Sequence, residues 1–165
     1  MEVNLCRDAE TTGSLTADST GHVWCLETLE KTRELGRFLA RTLPDGSILL
    51  LIGPLGAGKT SLVQGLAEGL GIDEPITSPT FALAQHYPQG TPRLIHLDLY
   101  RLEQPSSADE LFLQEEEEAI AAEALMAVEW PERLGLKLPE AWRLELSHQG
   151  DGRRAQLIAP RKASI

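Results

Sequence analysis

The chain has 165 residues, 42% of them apolar, which suits a single domain with a real core and argues against wholesale disorder. Its formal net charge of −10 disfavours direct, tight binding of RNA or DNA, for which a basic surface is the usual footprint. No apolar stretch approaches the length of a membrane span, and Met1-Glu2-Val3-Asn4-Leu5-Cys6 has neither the basic region nor the apolar run of a secretory signal. The two cysteines, Cys6 and Cys25, form no C-x-x-C pair and suggest no metal site; in a chain whose central motif, described below, is of an intracellular type, free thiols and a cytoplasmic location are expected.

Residues 1–21 are polar and rich in Ser, Thr and Asp, and read as a flexible tail. Residues 22–165 read as one domain. His22 to Leu26 is a short candidate strand, and Thr28 is a candidate N-cap for a helix to about Thr42. Leu29, Leu35, Phe38, Leu39 and Leu43 recur there at near-helical spacing. Pro44-Asp45-Gly46 is a turn that feeds the apolar run Ile48-Leu49-Leu50-Leu51-Ile52.

Next comes the stretch around which the chain is organised, Gly53-Pro54-Leu55-Gly56-Ala57-Gly58-Lys59-Thr60, followed by the helix-like segment that starts at Ser61. Its G-x-x-x-x-G-K-T spacing, set between strand and helix, is that of a phosphate-binding P-loop (Walker A). Gly56 and Gly58 allow successive backbone N–H groups to face one anion, at a helix N-terminus that carries a positive dipole end. Lys59 is expected to reach the β- and γ-phosphates, and the Thr60 hydroxyl to hold Mg²⁺. Residues 53–61, ending at Ser61, make up the expected nucleotide-binding segment.

Gly69 and Gly71 mark the end of that helix. Thr77-Ser78-Pro79-Thr80-Phe81 precedes a β-like stretch to Tyr87. In nucleotide switches a Thr such as Thr80 can reach Mg²⁺ or the γ-phosphate; on spacing alone an X-Pro turn at Ser78-Pro79 explains the segment better. Arg93 to Leu99 reads as a strand whose alternation puts Leu94, His96 and Asp98 on one face. P-loop enzymes need a further carboxylate beside Mg²⁺, and Asp98 lies near a strand's C-terminal end, where ligands bind in open α/β sheets. His96 reads as a structural residue, half-buried and paired with its neighbours.

Ser107-Ala108-Asp109-Glu110 has the pattern of a capping box, and Glu115 to Glu118 reads as a solvated helix face. Ala124 to Trp130 is a buried type of strand, stopped by Pro131. Glu129 at its end could lie across the phosphate site from Asp98 and orient or deprotonate an attacking water, or be a strand-end surface charge. Trp142 to Ser147 and Ala155 to Ala159 read as a hairpin. Arg153, Arg154, Arg161 and Lys162 read as solvated surface charge. Helices alternate with strands in the middle and strands cluster at the end. The expected fold is therefore α/β, a three-layer P-loop NTPase domain with a mixed, partly parallel central sheet.

The motif announces a nucleoside triphosphate without saying what its energy is for. Asn4 is the only asparagine, so the guanine-reading N-K-x-D motif is absent and an ordinary signalling GTPase is disfavoured. A small-molecule kinase would need an acceptor pocket and usually an Arg-bearing lid, and no Arg-rich lid is evident. A non-catalytic ATP-dependent interaction module stays open on the residues alone.

GPLGAGKTSLVQGLAEGLG, TSPTF, HLDLYRL and VEWPERL occur in order and at a spacing that resembles the TsaE (YjeE) family, over about residues 26–159. The resemblance implies a small P-loop ATPase using ATP and Mg²⁺ and working with TsaB and TsaD proteins. With TsaB, TsaD transfers threonylcarbamoyl to adenosine 37 of tRNA, so tRNA is met through the complex and neither DNA nor membrane is a partner. By motif, Lys59 contacts phosphate, Thr60 and Asp98 serve Mg²⁺, with Glu129 a further candidate, and Glu129 is the catalytic carboxylate. Ser78 and Thr80 belong to a switch-like loop, and Trp130 and Tyr100-Arg101 are motif residues. Pro54 departs from the acidic residue usual in the family, at a variable loop position.

Overall fold

The computed structural model describes residues 22–77 and 83–161. The elements in chain order are β1 (His22–Leu26), α1 (Leu29–Thr42), β2 (Ile48–Ile52), α2 (Lys59–Gly69), β3 (Ala84–Tyr87), β4 (Leu94–Asp98), α3 (Pro105–Ala122), β5 (Leu125–Glu129), a single 3-10 turn (Pro131–Arg133), β6 (Trp142–Gln149) and β7 (Gly152–Ile158). One seven-stranded sheet runs in the order β1-β7-β6-β2-β5-β4-β3. Its centre, β6-β2-β5-β4, is parallel, and β3, β7 and β1 add antiparallel margins. This is the expected three-layer, partly parallel α/β domain. Among the described residues no helix is long and apolar enough to cross a membrane.

Strand alternation divides the core in two. Leu49, Leu51, Leu94, Leu125 and Ala127 pack with Leu35 and Leu39 of α1 and Leu62 and Leu66 of α2 on one face. Leu50, Ile95, Leu97, Met126 and Val128 pack with Phe112 and Ala119 of α3 on the other. By the same alternation Asp98 and Glu129, at the ends of β4 and β5, belong to the α1/α2 face.

The Thr28 side chain caps α1, accepting from Lys31 N at 3.2 Å. α1 lies against α2 at backbone distance. A Cβ on Gly36 would fall 2.3 Å from the Leu62 carbonyl, and one on Gly65 would fall 2.2 Å from the Arg33 carbonyl, so a side chain at either position would push the helices apart. That close approach seats Thr32, fully buried, beside Gly58 at the start of α2.

Two expectations are corrected. α3 begins at Pro105, two residues before the proposed capping box, and its N-cap Gln104 makes no side-chain cap bond. Proline at N1 lacks an N–H that would be unpaired there anyway and is preset to helical φ, so the helix can start there. Asp109 instead accepts from Gly135 N at 2.9 Å and Leu136 N at 3.2 Å, tying down the loop after the 3-10 turn. Glu115 is no solvated residue; it is buried and bonded to His86 Nε2 on the edge strand β3. Residues 1–21, with Cys6, and Lys162 lie outside the described residues.

Candidate functional site

The C-terminal ends of β2, β4 and β5 open onto one cleft of about 480 Å³. Its lining includes Gly56, Gly58, Lys59, Thr60 and Ser61 from the loop and first turn of α2, with Asp98, Glu129 and Trp130 from the neighbouring strand ends. Three widely separated segments of sequence therefore meet where open parallel sheets bind their ligands. Parallel pairing of β4 with β5 sets Asp98 directly beside Glu129 as register partners. The two carboxylates therefore issue from adjacent strand ends and both line the cleft.

The loop has the geometry that phosphate binding needs. Gly56 at φ 77° and Gly58 at φ 100° occupy the left-handed region, which a side chain would disfavour. Ala57 N donates to Pro54 O at 3.2 Å, and Gly53 leads out of β2. Gly58 also serves as N-cap of α2 with no side-chain cap bond, so the N–H groups of the first turn are left for an anion. Pro54, Leu55 and Gly56 are exposed, and Thr60 and Ser61 half-buried.

Lys59 is only 6% exposed, unusual for lysine. Its Nζ donates to the Gly53 carbonyl at 2.7 Å and lies 3.8 Å from the centre of the Trp130 ring. A cation over an indole face gains about 0.5–2 kcal/mol, depending on desolvation. Burial pushes the Lys59 ammonium below its ordinary pKa, while the charges of Glu129, Glu132 and Asp98 pull it back up. An anion in the loop would act in the same upward direction. Lys59 is thus a buried cation held by weak partners that an incoming phosphate can replace.

Trp130 reaches Lys59 because of its backbone. Its φ of 58° is a left-handed conformation rare for a bulky residue, immediately before Pro131. The turn swings the indole back over the loop and against Tyr100, with ring centroids 4.9 Å apart. Tyr100 N in turn donates to Asp98 Oδ1 at 3.0 Å. The other side of the loop is held from β7, where Arg153 donates to the Gly56 carbonyl through Nε at 3.1 Å and Nη2 at 2.9 Å. Arg153 is thus more than the solvated surface charge its sequence context suggests. Its partner is 97 residues away, and only the antiparallel return of β7 brings the two together.

Glu129 is 3% exposed and so is no surface charge, and His96 is fully buried rather than half-buried. Glu129 Oε2 and His96 Nε2 are 2.6 Å apart. A hydroxyl and two carboxylates, Thr60, Asp98 and Glu129, make a hard-oxygen donor set of the kind that suits Mg²⁺, which commonly takes one or two carboxylates beside water and phosphate oxygens. Among the described residues, no three or more His, Cys, Asp or Glu side chains are grouped so as to hold a metal. Ser78 and Thr80, expected in a switch-like loop, lie outside the described residues.

The family model "Threonylcarbamoyl adenosine biosynthesis protein TsaE" matches residues 26–156. A relative from Nostoc sp., named tRNA threonylcarbamoyladenosine biosynthesis protein TsaE, is 45% identical over 137 residues, covering 82% of this chain and 84% of its own length. One of the same name from Synechocystis sp. is 50% identical over 112 residues, covering 66% of this chain and 69% of its own. The crystal structure of YdiB from Bacillus subtilis superposes with a TM-score of 0.68 at 28% identity, over 86% of this chain and 87% of that one.

Proposed function

The chain belongs to the TsaE family, and on that premise we propose that it hydrolyses ATP, with Mg²⁺, as the ATPase subunit of the tRNA N6-threonylcarbamoyladenosine machinery, acting in the cytoplasm on a TsaB–TsaD complex. The observation that carries the reading is the convergence of Lys59, Asp98 and Glu129 on one cleft at the strand ends. Phosphoryl transfer to water needs an anion cradle, a cation on the phosphates, a carboxylate near Mg²⁺ and a group that positions water. The loop and Lys59 supply the first two, and Asp98 and Glu129 supply the carboxylates. Mg²⁺ bound beside Thr60 and Asp98 would neutralise charge developing on the transferred phosphoryl group. Burial of Glu129 among strand ends favours a fixed orientation toward water over a general solvent role. The net charge of −10 suits contact with partner proteins and leaves tRNA to them.

The direct test is purification of this chain with TsaB and TsaD proteins, with and without ATP, followed by an ATPase assay. A complex that forms with ATP, and that raises a low intrinsic rate, is the expected result. Tight binding of tRNA by the chain alone, without interaction with those proteins, would overturn the assignment.

Asp98→Asn tests the metal role. Loss of one charge-assisted contact, ~1.5 kcal/mol or more, should weaken Mg²⁺-dependent ATP binding at least ~10-fold. Binding measured without Mg²⁺ should change much less. Equal losses with and without Mg²⁺ would remove Asp98 from the metal site.

A further inference from the structure

We propose that His96 is a positioning residue for hydrolysis, which locks the Glu129 carboxylate by a buried hydrogen bond so that its second oxygen is presented to water in the cleft. The inference rests on the catalytic reading of Glu129 and deepens it. β4 is otherwise built for packing: Leu94, Ile95 and Leu97 are buried apolar residues, and His96 among them is 0% exposed. A leucine would satisfy that position in a core strand without any polar group to accommodate. Among the described residues histidine there has one polar contact, Nε2 to Glu129 Oε2 at 2.6 Å, and its buried Nδ1 has no hydrogen-bond partner. An unsatisfied buried polar atom is costly, so the residue is not explained by packing.

The chemistry of the pair follows from that orphaned nitrogen. With no acceptor beside Nδ1, a proton there would be a buried donor without a partner, which is rarer than an unsatisfied lone pair. The proton is therefore assigned to Nε2 and donated to Glu129 Oε2. Register supports the contact: Asp98 stands beside Glu129 and His96 beside Ala127, so the histidine reaches the carboxylate diagonally, from one pair deeper in the sheet. Oε2 is thus engaged from the core side, which leaves Oε1 as the oxygen to meet a water, while Glu129 itself lines the cleft. A carboxylate fixed at one oxygen loses rotational freedom about its terminal torsion, and misplacement of a reacting group by about 1 Å can cost ~10²-fold.

The test compares His96→Leu, which removes the donor and fills the core, with His96→Gln, whose amide nitrogen can stand near the place of Nε2. Each is measured by melting temperature, by ATP titration, and by single-turnover hydrolysis with TsaB and TsaD proteins present. His96→Leu is expected to remain folded, to bind ATP within a few-fold of the parent, and to hydrolyse it about 10- to 100-fold more slowly. His96→Gln should recover much of that rate, and His96→Leu added to Glu129→Gln should slow hydrolysis little further. Ring ¹⁵N NMR of the unliganded parent, which does not depend on activity, should show the Nε2–H tautomer at His96.

A parent-like rate in His96→Leu beside a slow Glu129→Gln would overturn this inference and leave the catalytic reading standing. A parent-like rate in Glu129→Gln would overturn both. Equal losses in the Leu and Gln variants would assign His96 to packing. Should His96→Leu fail to fold, the Gln variant and the NMR signal decide: a slow Gln variant or an Nδ1–H tautomer would overturn the proposal.

Discussion

Glu129→Gln is expected to lower the rate of ATP hydrolysis by ~10²–10⁴-fold while leaving ATP affinity within a few-fold, because positioned acid–base groups contribute in that range. Glutamine keeps the shape of the side chain. Its amide oxygen can still accept the His96 hydrogen bond at the place of Oε2, so the residue should stay where β5 sets it. What is lost is the negative charge and the basicity of a group buried at the mouth of the phosphate loop. Nucleotide titration beside single-turnover hydrolysis with the partner proteins separates the two effects. A variant that binds ATP poorly would make Glu129 a metal or structural ligand. A variant that hydrolyses at the parent rate would leave the catalytic carboxylate unassigned.

Lys59→Ala should damage both binding and hydrolysis, and the contrast with Glu129→Gln is informative. A charge-assisted contact to phosphate in a partly desolvated site is worth ~1.5–3 kcal/mol, which corresponds to about 10- to 150-fold in affinity. Hydrolysis should collapse further, since on the proposed reading the same cation would face the phosphoryl group as charge develops on it. The fold should survive. Removing the ammonium frees the Gly53 carbonyl of its donor and Trp130 of its cation, but it also relieves the burial that pushes the lysine pKa down. Thermal melting checks the fold, and a calorimetric ATP titration checks the affinity. A folded Lys59→Ala variant with normal hydrolysis would overturn the P-loop reading.

Much of the site is legible because its parts are local. Thr28 caps α1 as its residue type suggests, and Gly56 and Gly58 take the left-handed conformations that the loop spacing implies. The alternation in β4 separates Asp98 from Leu97 and Leu99 as a period of two requires. Errors arose where a local pattern had a stronger competitor or a distant partner. Pro105 starts α3 ahead of the Ser107 pattern, and Glu115, one acid in a run of four, turns inward to His86 on another element. Sequence spacing left Glu129 as either a site carboxylate or a strand-end surface charge; the pairing of β5 with β4 and its burial place it beside Asp98.

The sequence by itself determined the strand, the glycine loop, the lysine and the helix that follows it, together with the two strand-end carboxylates and the family. These depend on fixed offsets along the chain: the turn must bend where glycine permits, and a strand must alternate. Only the tertiary structure decided that His96 holds Glu129, that Trp130 covers Lys59 and that Arg153 grips the Gly56 carbonyl. Each of those contacts depends on register between strands or on a single left-handed residue. The physical reason is that such register is set by the fit of side chains over both faces of the sheet, a sum over the whole core that no short stretch of sequence contains.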